Sequence, residues 1–150
     1  WLESLQATDG SWDDGFGTTG NADATAIAIM ALLAAGRSAD DVSVAAAAGF
    51  LAGAQVDGGG WAYGAGLPAS ASSTALVIQA IVALGEDPAA TATRWARDGQ
   101  SPLDALLRFQ SESGAFQTDL GSSPVDDYYT TVLAIPAAAG RAWPLAGGAE

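Results

Sequence analysis

The stretch Gln55-Val56-Asp57-Gly58-Gly59-Gly60-Trp61 constrains this chain most, because its spacing occurs three times. Gln6, Gly10 and Trp12 repeat it, and so do Gln110, Gly114 and Phe116. A leucine stands four residues before each Gln (Leu2, Leu51, Leu106). Thr25, Thr74 and Tyr129 follow the Gln by nineteen residues, and Gly36, Gly85 and Gly140 by thirty. An apolar Ala/Ile/Leu/Val run fills the interval between those last two marks. The copies recur at 49 and 55 residues, and the six additional residues all fall between Gly85 and Gln110. One unit of this size cannot bury its own apolar face, so the pattern predicts stacked repeats sharing a core.

Each repeat reads as a helical hairpin. A first helix ends at the Gln, a Gly-rich loop carries the aromatic residue, and a second helix ends at the Gly. Copy one offers a stub, Trp1 to Gln6, a loop from Ala7 to Asp23 and a helix from Ala24 to Ala35 closed by Gly36. Copy two opens with Ser38 or Asp40 as N-cap, runs to Gln55, and resumes as a helix from Thr74 to Leu84 before Gly85. In copy three Thr91 to Ala96 is a candidate short helix. Ser101-Pro102 then starts a helix to Gln110, with Ser as cap and Pro at the first helical position. A loop from Ser111 to Val125 and a helix from Asp126 to Ala139 complete it, with Pro136 expected to kink or end the helix. Glycine just past each apolar run is the expected stop, since it takes the left-handed conformation cheaply.

The second helices are apolar almost all round and therefore need cover on most sides. The first helices keep polar positions: Ser38, Asp40, Asp41 and Ser43, then Asp104 and Arg108. Two layers follow, second helices inside and first helices outside. The expected class is all-α, a single domain over 1–150 with repeats at about 1–36, 38–85 and 101–140.

The motif Gln-x3-Gly-x-Trp, followed by an apolar helix that ends in Gly, resembles the QW repeat of the prenyltransferase/squalene cyclase repeat family. The resemblance runs from Trp1 to about Leu145. It implies an α/α toroid, the fold of terpenoid cyclases and protein prenyltransferases, shared with corrinoid carriers of the intrinsic-factor type. Closed toroids use about six hairpins and this chain holds three, so a partial toroid is expected. Gln6, Trp12, Gln55, Trp61, Gln110 and Phe116 are then architectural. A Gln amide offers two donors and two lone pairs for exposed backbone groups at a helix end, while its face packs on the aromatic ring.

Charge and composition narrow the chemistry. Seventeen acidic residues against five arginines, with no lysine, give a net charge of −12. Such a surface repels phosphate backbones and anionic lipid, so neither nucleic acid nor a membrane is an expected partner. Absence of cysteine and histidine removes disulfides, thiolate nucleophiles, imidazole bases and Cys/His zinc sites. The longest apolar stretch, Ala24 to Ala35, is too short to span a bilayer. The chain opens on Trp1 without a visible signal peptide, and the stub before Gln6 is shorter than its counterpart before Gln55. Upstream repeats are therefore expected, with association through that edge, either to the upstream segment or as a homodimer. The lysine-free, Ala/Gly/Thr-rich composition fits an exported bacterial protein, extracellular or at the cell surface, with the cytoplasm as alternative.

Where members of the resembled family are enzymes, chemistry sits at the N-terminal ends of the inner helices, facing a central cavity. Those ends carry Asn21, Asp23 and Thr25; Ser70, Ser72, Ser73 and Thr74; and Asp126, Asp127, Tyr128 and Tyr129. Asp23, Asp126, Asp127, Tyr128 and Tyr129 are the candidate ligand-binding residues, turned towards one centre. Protein prenyltransferase zinc chemistry needs Cys and His that are lacking. The Asp-x-Asp-Asp motif of squalene-type cyclases is absent, and so is a magnesium-binding Asp-Asp-x-x-Asp. The pair Asp126-Asp127 also suits a plain helix start, where negative charge complements the dipole. Asp9-x-Ser11-x-Asp13-Asp14-Gly15 resembles a calcium loop but lacks its glycine and its bidentate Glu. No catalytic residue, metal ligand or cofactor is expected. The reading is a non-catalytic toroid domain that binds a small molecule or protein at its mouth. The alternative is part of a terpenoid cyclase acting on a polyprenyl substrate.

Overall fold

The three apolar runs form α1 (Ala22–Ala34), α3 (Ala71–Ala83) and α5 (Tyr128–Ala138). Between them come α2 (Val42–Gly53) and the short α4 (Pro102–Leu107), and a 3-10 turn Glu3–Leu5 stands in front. This computed structural model describes residues 1–16, 20–119 and 123–144. Leu145 and parts of the expected loops over 7–23 and 111–125 lie outside them. Among the described residues, no helix is long and apolar enough to cross a membrane.

The helices form two layers. Helix α3 packs against both α1 and α5, while α2 lies against α1 and α4 against α3 and α5. Burial follows from this placement. In α3 every residue from Ser73 to Ile81 is buried, including the polar Ser73, Thr74 and Gln79, as its mostly apolar sequence leads one to expect. Helix α2 buries only Val44, Ala47, Ala48 and Leu51, a single face at i, i+3, i+4 and i+7 spacing. The core joins Ile29, Val44, Leu51, Trp61, Val77, Ile81 and Trp95 in one cluster, and Ile78, Leu106, Phe116 and Ala134 in a second.

Helix ends obey the capping rules, with adjustments. All three inner helices stop in a Schellman motif. Gly36, Gly85 and Gly140 donate to Leu33, Val82 and Ala137, and the next residue donates to Leu32, Ile81 and Pro136. Ser101 and Asp104 form a full capping box with Pro102 at the first turn. Helix α2 starts from Asp41 rather than Ser38 or Asp40, without a side-chain cap. Helix α4 ends at Leu107, short of Gln110, and 91–96 forms turns rather than a helix. Pro136 sits in the last turn of α5, and the helix continues past it to Ala138.

The loop from the Gln to the aromatic residue has the same construction in each copy. The Gln side-chain amide donates to the carbonyl of Gly10, Gly59 or Gly114 at 2.9, 2.8 and 3.0 Å. The residue after the Gln donates to the carbonyl before the aromatic, at 2.9, 3.0 and 2.9 Å. The Trp12 and Trp61 indoles donate to the backbone carbonyls of Leu2 and Leu51 at 2.9 and 2.7 Å. The leucine side chains four residues before each Gln pack in or against the core, Leu51 and Leu106 fully buried. The backbone N–H groups of Trp12 and Trp61 donate to the Thr25 and Thr74 hydroxyls. Those threonines therefore tie the loop down from the fourth helical residue; they do not start the helix. Gly10 has φ +91°, and a Cβ there would lie 2.5 Å from the Ala46 carbonyl, so only glycine lets the loop touch α2.

Gln6 and Gln55 also reach into the following unit. Gln6 Nε2 donates to Ser43 O at 2.8 Å and Gln55 Nε2 to Trp95 O at 2.7 Å. The extra residues before copy three therefore have a structural use. They carry Trp95, fully buried with its ring centroid 6.4 Å from that of Trp61. Its indole donates to Glu86 Oε2 at 2.7 Å, and Arg94 stacks over the ring at 4.6 Å.

Copy three departs from the strict register. The closing bond from the helix N-cap to the aromatic carbonyl joins Asn21 to Trp12 and Ser70 to Trp61, nine residues apart, but Asp127 to Phe116, eleven apart. The two additional residues belong to a small antiparallel hairpin, β1 (Gln117–Asp119) with β2 (Pro124–Asp126). Helix α5 is correspondingly 11 residues long where α1 and α3 have 13. Thr131, not Tyr129, accepts from Phe116 N and so matches Thr25 and Thr74. This hairpin is the one departure from an all-α composition among the described residues, and it takes Asp126 out of the helix.

Trp61→Ala removes a fully buried ring that also satisfies Leu51 O, a truncation expected to cost about 3–5 kcal/mol. Gln55→Ala orphans two carbonyls in a buried place and should cost about 1–3 kcal/mol. Gln110 is exposed and makes only the loop bond, so Gln110→Ala should cost less than about 1 kcal/mol. Thermal melts of the three variants test this order; a Trp61→Ala protein melting with the wild type would show that the ring carries no core.

Candidate functional site

The loops bring the N-terminal ends of the inner helices to a common rim. Asn21, Ser70 and Asp127 are equivalent N-caps, accepting from Ala24, Ser73 and Thr130 N–H at 2.9, 3.2 and 2.7 Å. Asn21 is fully buried, and its Nδ2 donates to Tyr63 O at 3.1 Å, so this cap also fastens the first loop to the second.

The position two residues after the aromatic decides what each loop presents. It is Asp14 in copy one, Tyr63 in copy two and Thr118 in copy three. The Tyr63 hydroxyl donates to Asp14 Oδ2 at 2.6 Å, and Asn21 Nδ2 approaches the same oxygen at 3.3 Å. A cavity of about 470 Å³ opens beside this pair, lined by Trp1, Leu5, Trp12, Ile27, Asp14 and Asp23 among others. On the other side of Tyr63 lies a second cavity of about 330 Å³, with Leu67, Ser70, Phe109, Gln117 and Thr118 in its wall. Tyr63 belongs to both and separates them.

Asp23 is the electrostatic exception at this rim. Burial against the apolar wall raises its carboxyl above the usual aspartate range; the Ser73 hydroxyl bond lowers it and the Asp14 charge raises it further. Its Oδ1 is buried without a hydrogen-bond partner. The Ser73 hydroxyl in turn accepts from Ser70 Oγ at 2.9 Å, so a chain of hydroxyls runs from the second cavity to the acid of the first. A carboxyl group in such surroundings is suited to hold a proton or meet a cation.

The other expected site residues lie elsewhere on the rim. Asp126 sits in β2, where Ser113 Oγ and Gln117 Nε2 donate to it at 2.6 and 3.1 Å, and these bonds hold its carboxyl low. Asp127 is lowered by the Thr130 backbone N–H that it caps. Tyr128 and Tyr129 open α5 and are exposed. None of these four lines either cavity. The hairpin explains the separation, because its two additional residues displace the start of α5 relative to α1 and α3. Asp14 and Tyr63 are the rim residues that sequence reasoning missed. The signal was available, since both hold the same register position. The acids of 9–14 do not converge. Asp9 accepts from Ser11 N and Oγ, Asp13 from Gly15 N and Asp14 from Phe16 N, so loop amides occupy them. Among the described residues no three carboxylates gather as a metal site would require.

Set against known proteins, the chain matches no family model and no curated sequence.

The sign of the Asp23 shift gives a direct test. Folded Asp23 holds its proton more tightly than the unfolded chain, so it penalises folding increasingly as pH rises from about 4 through its raised value. Asp9, Asp104, Asp126 and Asp127 are lowered and act oppositely, stabilising the fold above the ordinary range and losing this as pH falls. Asp23→Asn keeps the shape of the neutral acid without the charge. It should melt above the wild type at pH 7, and the gap should close towards pH 3. A gap independent of pH, or of opposite sign at pH 7, would contradict desolvation of this carboxyl.

Proposed function

We propose that the chain is part of an α/α toroid of the QW-repeat type, and that its rim binds a small molecule without turning it over. Supporting this reading are three loops of one construction, a row of inner helices, and one outer helix each for the second and third. The observation that carries the binding assignment is the Asp14–Tyr63 pair, which closes the gap between two repeats at the mouth of an apolar cavity. Trp1, Leu5, Trp12 and Ile27 supply apolar walls, and carboxylates supply the polar groups. With a net charge of −12 the surface steers cations inward and repels anions. A neutral or cationic ligand with an apolar body fits; a free diphosphate does not. A partner protein presenting the same chemistry at the mouth is compatible, and an exported bacterial setting remains the proposed location.

One observation favours a second reading. A desolvated Asp23 beside aromatic residues is the kind of group that an alkene-protonating cyclase requires, as part of a larger enzyme acting on polyprenyl substrates. The loops offer no Asp-x-Asp-Asp to polarise it.

Titration followed by Trp fluorescence separates the two, because Trp1 and Trp12 line the cavity. A long-chain alkylammonium should bind at least about tenfold more tightly than a prenyl diphosphate, the difference following from charge alone. Asp14→Asn should weaken that binding. Micromolar, magnesium-dependent binding of the prenyl diphosphate, abolished by Asp126→Asn and Asp127→Asn, would overturn the non-enzymatic reading.

A further inference from the structure

The cavity between the second and third copies has a chemistry of its own. Its volume is about 330 Å³, and Tyr63, Leu67 and Ser70 of one copy face Phe109, Gln117 and Thr118 of the next. All of its lining residues fall between Tyr63 and Thr118, away from both ends of the sequence. Tyr63 and Thr118 hold one register position, two residues after Trp61 and Phe116. In the preceding gap the equivalent pair, Asp14 and Tyr63, is joined by a hydrogen bond. In this gap the Tyr63 hydroxyl is committed to Asp14, and the Thr118 hydroxyl makes no hydrogen bond among the described residues. The first gap is bridged; the second is left as a hollow.

What lines the hollow selects its occupant. No charged side chain stands in its wall, whereas Asp14 and Asp23 line the other cavity, so a cation gains no partner here. The net charge of −12 repels an anion. A neutral occupant remains. Tyr63 and Phe109 bring aromatic rings from two different units, and the bond to Asp14 holds the Tyr63 ring in place before any ligand arrives. Ser70, Gln117 and Thr118 bring hydroxyl and amide groups to the same space. A wholly apolar occupant would cover those groups without pairing them, and an unpaired buried polar group is costly. A wholly polar one would leave the rings unused. A saturated ring with an apolar C–H face and hydroxyls at its edge meets both demands, and the volume, at the low end for small-molecule sites, suits one such ring.

We infer that this hollow is a carbohydrate site, taking one neutral pyranose unit with its C–H face against an aromatic wall and a hydroxyl bonded to Thr118. It is separate from the acidic cavity and does not depend on that cavity binding a ligand.

Amide NMR of the full chain, titrated with the methyl glycosides of glucose, galactose, mannose and N-acetylglucosamine, tests it. At least one should bind in the millimolar range, moving the amides of Ser70, Ala71 and Thr118 and not those of Trp12 and Asp23. Cyclohexanol, a ring with a single hydroxyl, and methyl glucuronide, which adds a charge, should leave those amides in place. Phe109→Ala should weaken the glycoside about tenfold through the lost stacking surface. Thr118→Val should weaken it about threefold or more through the lost hydroxyl, and should leave alkylammonium binding beside Asp14 unchanged. Valine suits a strand, so Thr118→Val decides the matter alone should Phe109→Ala fail to fold. No shift with any neutral glycoside at about 100 mM, the weak limit of measurable affinity, would overturn the inference. So would shifts confined to the Asp14 cavity, cyclohexanol acting as well as the glycosides, or binding indifferent to Thr118→Val.

Discussion

The structure depends on how one glutamine amide divides its donors. In the first two copies, one N–H goes to a glycine carbonyl inside the repeat's own loop, and the other leaves for a backbone carbonyl of the next unit. The first bond folds the loop and the second sets the distance between units. Both replace water on carbonyls that packing has dehydrated, which is why leaving them unmade costs more than making them gains. Everything else in the stack, including the Trp ring over the helix end and the Thr hydroxyl beneath it, presupposes that amide in place.

The same division explains how the chain tolerates unequal repeats. Between Gly85 and Gln110 the next unit brings no carbonyl from a helix start such as Ser43, so Trp95 provides one, and its ring fills the space beside Trp61. An insertion that looks like a linker in sequence thus completes the core. In copy three the opposite adjustment occurs, a longer loop against a shorter helix, while the interval from Gln110 to Gly140 stays fixed. Fixed ends with movable interiors are what a repeat needs when its termini, not its middle, meet the neighbours.

Polar groups gather at the rim for a related reason. Inner helices begin there, so N-caps, loop tips and half-buried acids from successive copies come close together. Asp9, Asp126 and Asp127 are spent on N–H and hydroxyl donors of their own surroundings and are held low as a result. Asp23 is raised because burial takes water away without giving both oxygens a partner. That imbalance, more than the number of acids, distinguishes one cavity from a merely acidic surface.

The sequence by itself determined the repeat, the order of helices, their glycine stops and the Ser101-Pro102 start, because those features rest on local periodicity and on backbone groups a few residues apart. It also marked Gln, the aromatic residue and Leu as a set, and the core that the leucine and the aromatic ring share gives the reason. Only the tertiary structure decided that Thr131 replaces Tyr129 in the register, that Asp126 lies in a strand, and that Trp95 completes the core. It likewise decided that Asp14 meets Tyr63 across 49 positions of sequence. The last two are contacts between units and the first two follow from a hairpin inside copy three; all are set by how far one backbone stands from another, and no local propensity carries that distance.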